Sequence, residues 1–202
     1  MTEEEKIFAG RLFSPHSKEL RDIKHKAHLC CQRYNQLDEY NDGERQALMR
    51  GIMGAIGKGF YFQGPVQFNY GRHTFIGENF FANYNFTVLD DARIYIGDNV
   101  MCAPNVSLMA ASHPLIAEER NGMYDTNGNR FFAEVAEEIH IGNNVWLGCG
   151  VTVVGGVTIG KDTVIGAGSV VIHDIPAGVL AAGNPCRVIR PITEKDSLQQ
   201  LL

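Results

Sequence analysis

The sequence lacks any apolar run near the roughly 18 residues that indicate a membrane-spanning helix. Its net charge is −5, and its charges of both signs are interspersed, with no Lys/Arg run that could follow a phosphate backbone. The opening MTEEEK is acidic where a secretory signal would be basic. We therefore expect a cytoplasmic protein that binds neither nucleic acid nor membrane.

Cysteine is sparse and shows no C-x-x-C spacing. The odd number of cysteines and the absence of a secretory pattern predict reduced thiols. A chain of 202 residues is long enough for one domain without disulfides or metal. The five cysteines are Cys30, Cys31, Cys102, Cys149 and Cys186.

Glycine, by contrast, is frequent, and its 22 residues accompany a period of six. A first run of branched or small apolar residues slips by two positions between Ile94 and Ile96, which predicts a turn or bulge. The second run is uninterrupted. The anchors of the first run are Ile76, Ala82, Val88 and Ile94, then Ile96, Cys102 and Leu108; those of the second are Ile141, Leu147, Val153, Ile159, Ile165 and Val171.

A period of six fits neither a helix nor an alternating strand. It suits a chain that turns a corner every six residues, so that three edges close a triangular coil and coils stack about 4.8 Å apart. We therefore predict a parallel β-helix, and expect the glycines after the anchors to provide positive φ at the corners. The alternative is an all-β sandwich, whose strands would alternate with period two.

The regions outside the repeat have different patterns. Helical spacing in 17–60 predicts two amphipathic helices, the second beginning with a capping box of Asn41 and Glu44. Residues 111–140 break the period and form a loop that leaves the stack. The predicted organisation is an N-terminal helical segment (1–60), a β-helix (61–175) with the inserted loop, and a C-terminal cap or tail (176–202).

His113 opens the inserted loop and is followed by Pro114, which favours extended backbone before it. An imidazole with a reference pKa of about 6.5 can take a proton from a hydroxyl at neutral pH. Considered alone, a loop histidine is more often a solvated surface residue.

An ordered set of motifs covers nearly the whole chain: FAGRLF, FANYNFTVLDD, IGDNVMCAPNV, SHP, IGNNVWLGCGVTVVGGVTIG, IGAGSVV and AAGNPCRVIR. Together they resemble the maltose and galactoside O-acetyltransferases, which include nodulation-type sugar acetyltransferases. The resemblance implies a left-handed coil, a homotrimer, acetyl-CoA as co-substrate, a sugar hydroxyl as acceptor and no required metal.

The resemblance also assigns site residues. His113 matches the catalytic histidine, and Trp146 a tryptophan near the reacting thioester. Two further groups match the acceptor side and the coenzyme A channel. The acceptor-side residues are Asn69, Asn83, Asp91 and Glu134; the channel residues are Cys149, Ala167, Ile172, His173, Arg187 and Arg190.

Three departures bear on the acceptor and the coenzyme. Pro15 stands where many relatives have an acceptor-binding aspartate. Residues 120–138 form a longer segment than in a typical relative, and His173 replaces a common lysine.

A thioester is already electrophilic, so direct transfer needs a base and oxyanion donors but no acyl-enzyme. Cys102 and Cys149 are therefore interpreted as packing thiols. The alternatives are transfer to another alcohol, such as a glycan precursor or a xenobiotic, a non-catalytic scaffold, and a carbonic anhydrase-like enzyme. The last requires three histidines converging on zinc at a subunit interface.

Overall fold

The repeat folds into stacked coils in a computed structural model that describes residues 1–125 and 127–201. Each coil contributes one short strand to each of three parallel sheets, called here the first, second and third faces. The first face contains β1 (Ala55–Ile56), β4 (Thr74–Ile76), β7 (Ile94–Ile96), β14 (Ile139–Ile141) and β17 (Thr158–Ile159).

The other two faces follow the same order along the stack. The second face contains β2 (Tyr61–Phe62), β5 (Phe81–Ala82), β8 (Met101–Cys102), β15 (Trp146–Leu147), β18 (Val164–Ile165), β20 (Val179–Ala182) and the antiparallel β21 (Arg187–Pro191). The third face contains β3 (Val66–Phe68), β6 (Phe86–Leu89), β9 (Ser107–Met109), β16 (Thr152–Val154) and β19 (Val170–Val171).

The predicted inward register is confirmed, because every anchor of both runs is buried in one continuous apolar core. Equivalent anchors of successive coils pair directly, as Ile76 with Ile96 and Ile141 with Ile159. The parallel β-helix predicted from the period is therefore the observed fold.

The two-residue slip comes from a longer corner and not from a bulge. Ile94 and Ile96 both point into the core from the two ends of β7. The coils before the inserted loop repeat every 20 residues, as the corner hydrogen bond between Asn79 and Asn99 shows. The coils after the loop repeat every 18 residues, as the hydrogen bond between Asn144 and Asp162 shows. The extra residues lie between the third and first faces.

The expected role of the glycines was wrong. The glycines directly after the anchors do not adopt positive φ. That conformation belongs to asparagines and one aspartate, including Asn99 (54°), Asn144 (59°) and Asp162 (59°), and to glycines at other corner positions, such as Gly150 (70°) and Gly168 (70°). Their side chains form a ladder, with Asn99 donating to Asn144 at 3.1 Å and Asn144 donating to Asp162 at 2.7 Å. Gly142 is required for a different reason, since a Cβ there would lie 2.6 Å from the backbone nitrogen of Lys161.

The two predicted helices are present, together with two short ones that the sequence did not indicate. Asn41 is the N-cap of the second predicted helix, but its amide donates to the Glu44 carboxylate (3.1 Å) and makes no hydrogen bond to the backbone of the cap. None of the helices among the described residues is both long and apolar enough to cross a bilayer. The α-helices are α1 (Glu3–Phe8), α2 (Lys18–Gln36), α3 (Asp42–Ile52) and α4 (Ala117–Arg120), and two 3₁₀ helices cover Glu194–Asp196 and Gln199–Leu201.

The stack extends past both predicted boundaries. β1 lies within 1–60, and β20 pairs in parallel with β18 beyond residue 175 before β21 turns back antiparallel. The inserted loop contains two small antiparallel pairs besides α4. These pair β10 (Ala111–Ser112) with β13 (Val135–Ala136), and β11 (Met123–Tyr124) with β12 (Arg130–Phe131).

We expect Gly142→Ala to destabilise the protein by about 2 kcal/mol, because the new Cβ has to displace backbone of the next coil. Gly51→Ala is the matched control. Gly51 lies in α3 with nothing within 4 Å of its Cβ position, and alanine there should stabilise by about 0.5 kcal/mol. Urea unfolding measures both effects, and equal midpoints for the two variants would contradict the close stacking of coils.

Candidate active site

The corners between the third and first faces carry all the extra residues of the stack. We call this the long-corner edge, and define it by residues 69–73, 90–93 and 110–138. Four of the predicted site residues lie there on consecutive corners: Asn69, Asp91, His113 and Glu134.

Asp91 is buried, with 2% of its surface exposed, and both of its carboxylate oxygens accept hydrogen bonds from the Asn69 amide at 3.0 Å. Burial raises the pKa of Asp91, while the positive charge of Lys24 on α2 opposes that rise. The neighbouring Tyr70 hydroxyl is also buried, and burial together with the nearby Asp91 charge raises the pKa of Tyr70. Asp91 keeps lone pairs that can accept hydrogen bonds from ligand hydroxyls.

Asp90 is buried and stabilises the same corner through hydrogen bonds. Its side chain accepts hydrogen bonds from the Tyr70 backbone N–H (2.7 Å) and the Thr74 hydroxyl (3.0 Å). Nδ1 of His73 donates to the Asp90 carbonyl oxygen (2.8 Å), and Nε2 of His73 lies 2.9 Å from a Glu4 carboxylate oxygen, so α1 is tied to this corner. Burial raises the pKa of Asp90 to about 6.

Glu134 is held in place by its backbone. It exchanges two hydrogen bonds with Phe13, at 3.1 and 3.0 Å, so the segment between α1 and α2 closes over the inserted loop. Burial raises the pKa of Glu134, and the charge of Asp91 raises it further. The two carboxylates therefore share one local environment.

His113 lies close to Glu134. The antiparallel pairing of β10 with β13 ends at Ser112 and Val135, His113 and Glu134 are the next residues on the two chains, and the charge of His113 acts on the Glu134 carboxyl group. His113 is exposed, and its positive charge, when protonated, would lower the pKa of Glu134. An accessible imidazole thus lies beside the partly desolvated Glu134 carboxylate, which itself lies near Asp91. This arrangement is suited to binding and deprotonating a hydroxyl.

The remaining predicted residues lie elsewhere on the same chain. Asn83, Cys149 and Ala167 lie on the edge between the second and third faces, called here the Asn83 edge, and Trp146 projects outward from the second face with 49% of its surface exposed. Cys149 is exposed and is therefore not a packing thiol, whereas Cys102 is fully buried as predicted. Farther along the stack, Ile172 and His173 follow β19, and Arg187 and Arg190 belong to β21.

Comparisons with known proteins agree with this architecture. Residues 138–173 match the bacterial transferase hexapeptide model, and residues 6–57 match the maltose acetyltransferase hexapeptide capping motif. The galactoside O-acetyltransferase of Escherichia coli K12 is 41% identical over 192 residues, covering 95% of this chain and 90% of that protein.

Two solved structures have the same fold over nearly their whole length. A maltose O-acetyltransferase from Clostridium difficile has a TM-score of 0.89 at 40% identity, covering 96% of this chain and 99% of the other. A galactoside acetyltransferase in complex with coenzyme A has a TM-score of 0.88 at 40% identity, covering 97% of this chain and 94% of the other. The chain belongs to the maltose and galactoside O-acetyltransferase family.

Membership of this acetyltransferase family confirms the predicted fold class and the predicted class of enzyme. The capping-motif match covers α2 and α3, which pack on the first coils. In the part of the chain that the structure describes, no group of three or more His, Cys, Asp or Glu side chains is arranged to hold a metal ion.

Three residues of the candidate site were not anticipated. Asp90 adjoins Asp91 in sequence, so the pair of acids could have pointed to it. Tyr70 and Lys24 gave none, because Lys24 reaches the corner from α2, with its ammonium 5.3 Å from the centre of the Tyr70 ring.

The raised pKa of Asp90 predicts a pH effect on stability. A folded-state pKa of about 6 exceeds the value of about 4 expected for an unfolded aspartate, so the folded protein retains a proton over that interval. The stabilisation from protonated Asp90 is complete below about pH 4 and is lost as pH rises through about 6. The free energy of unfolding of the wild type should therefore fall relative to that of Asp90→Asn as pH rises from about 4 to about 6. Unfolding curves measured from pH 4 to 7 test it, and a constant difference would contradict it.

Proposed function

We propose that this protein transfers the acetyl group of acetyl-CoA directly to a hydroxyl of a sugar such as maltose, glucose or a galactoside, with His113 as the general base. The observation that carries the proposal is the exposed imidazole of His113 close to Glu134, on the edge that also holds the Asn69–Asp91 pair. Family membership supports acetyl-CoA as the acyl donor, because the structure of a relative of 40% identity contains coenzyme A.

In the proposed reaction, His113 takes the proton of the acceptor hydroxyl as its oxygen attacks the thioester carbonyl. The thiolate of coenzyme A leaves and receives the proton. General base catalysis contributes roughly 10² to 10⁴ in rate. No acyl-enzyme is needed, and burial raises the pKa of Cys102, which makes that thiol a poor nucleophile.

Carboxylates and an amide give the acceptor pocket its preference for hydroxyl groups. Asp91 and Glu134 would accept hydrogen bonds from sugar hydroxyls, and Asn69 keeps Asp91 oriented. A site built this way rejects ligands that leave its partly buried polar groups unpaired. Pro15 is buried and its side chain offers no hydrogen-bond acceptor, so the sugar contact that an aspartate makes in many relatives is missing here.

The coenzyme half of the proposal uses the other predicted residues. The thioester would lie near Trp146, with Cys149, Ala167 and Ile172 lining the pantetheine channel. His173, Arg187 and Arg190 would lie toward the phosphates, and the arginines provide the positive charge that phosphate binding requires.

Assembly of the proposed homotrimer would join two half-sites. His113 and Asp91 lie on the long-corner edge of one chain, whereas Asn83, Cys149 and Ala167 lie on its Asn83 edge, and the third face separates them. Joining the long-corner edge of one chain to the Asn83 edge of the next would complete each site and give three sites in a closed ring. Met101 and Trp146, paired side by side on the second face, expose about half of their surfaces and favour such association.

Replacement of His113 tests the base. We expect His113→Ala to lower acetyl transfer by at least about 10² with little change in thermal stability, because an exposed side chain is removed. Release of coenzyme A thiol is measured with glucose, maltose and a galactoside as acceptors.

His25→Ala is the matched control, since His25 is another exposed imidazole, on α2. This variant should keep the wild-type rate. A His113→Ala variant that turns over normally would rule out the proposed base. Wild-type protein that releases coenzyme A at one rate with or without any acceptor would rule out the transferase proposal itself.

A further inference from the structure

The guanidinium of Arg190 is held from one side by the C-terminal turn. Its Nη1 and Nη2 donate to the two carboxylate oxygens of Asp196 at 2.9 and 2.6 Å, and Nη1 also donates to the Pro191 carbonyl at 3.0 Å. Asp196 is itself fixed, because it accepts the Thr193 backbone N–H at 2.8 Å as the cap of the short 3₁₀ helix. Arg190 is thus held in one orientation, although about half of its side chain is exposed.

An arginine has five N–H donors arranged along two bidentate edges. Asp196 occupies the end edge formed by Nη1 and Nη2. The side edge, formed by Nε and the second hydrogen of Nη2, donates to none of the described residues. This second edge has the spacing that a phosphate group accepts in bidentate fashion.

We infer that Asp196 is a positioning residue for coenzyme A, which holds Arg190 so that its free side edge binds a coenzyme phosphate. The inference rests on the proposed function, and it adds a residue that the family resemblance did not include. Fixing the guanidinium before binding removes part of the side-chain entropy cost of forming the phosphate contact. The Arg190 hydrogen bonds also lower the pKa of Asp196 to about 2, so the pair stays ionised at any pH of assay.

The sign of the charge effect makes the inference testable. Removing a negative charge near a polyanionic ligand should by itself strengthen binding. If Asp196 positions Arg190, Asp196→Asn should instead weaken binding. Glu194→Gln is a matched control, because Glu194 is an exposed acid in the same 3₁₀ helix that forms no ion pair with any described residue.

Isothermal titration with coenzyme A tests this without relying on turnover. We expect Asp196→Asn to raise Kd by about fivefold, and Glu194→Gln to leave Kd unchanged or slightly lower. Arg190→Ala should raise Kd by about tenfold, and adding Asp196→Asn to it should have no further effect. In acetyl transfer, Asp196→Asn should raise KM for acetyl-CoA while kcat and the acceptor KM stay the same.

Coenzyme A without its 3′-phosphate identifies the phosphate. If the 3′-phosphate is the partner, Asp196→Asn should no longer matter with this analogue; if the diphosphate is, the fivefold effect should persist. Unchanged or tighter binding of coenzyme A by Asp196→Asn would overturn the inference, the latter showing that Asp196 competes with phosphate. Wild-type protein that does not bind coenzyme A would refute the proposed function instead, so the two failures are distinguishable.

Discussion

Backbone hydrogen bonding between coils is the constraint on which the rest of this structure depends. Each strand pairs in parallel with the equivalent strand of the next coil, and Ile96 still pairs with Ile141 although the inserted loop separates them. The ladder of Asn99, Asn144 and Asp162 repeats the same left-handed corner from coil to coil, and an insertion at that corner would break its hydrogen bonds. Within residues 1–125 and 127–201, the extra residues of the longer coils leave the stack at the long-corner edge.

This restriction explains why the candidate acceptor side is assembled where it is. Longer corners bring polar side chains out of a repeat that otherwise alternates apolar anchors with tight turns. Burial then acts on those side chains, raising the pKa of Asp91 and of Glu134, while Lys24 counteracts both shifts. Backbone pairing of Glu134 with Phe13 ties the inserted loop to the N-terminal segment, so the helices serve the site as well as capping the coil.

Much of the fold could be predicted because one face of each strand must be buried at a fixed spacing, and the anchors from Ile76 to Val171 obey that rule. The corner conformations could not be predicted, because a glycine can serve either for positive φ or for close approach of two backbones. Only the three-dimensional stack shows that Gly142 is needed for close approach to the next coil. The loop position alone made His113 no more than a candidate, and the family resemblance assigned it as the expected base. The proximity of His113 to Glu134, the approach of Lys24 and the Asp196 contact of Arg190 depend on tertiary packing, which leaves no local sequence pattern.

Direct transfer of an acetyl group to a sugar hydroxyl is the central claim, and the chemical fate of a labelled acetyl group tests it most directly. The protein would be incubated with acetyl-CoA carrying ¹³C at the carbonyl and with maltose, glucose or a galactoside, and the products followed by NMR. The account predicts an ester carbonyl signal on the sugar that grows in step with free coenzyme A. Label that appears only as acetate, or that stays in the thioester with every sugar, would contradict it.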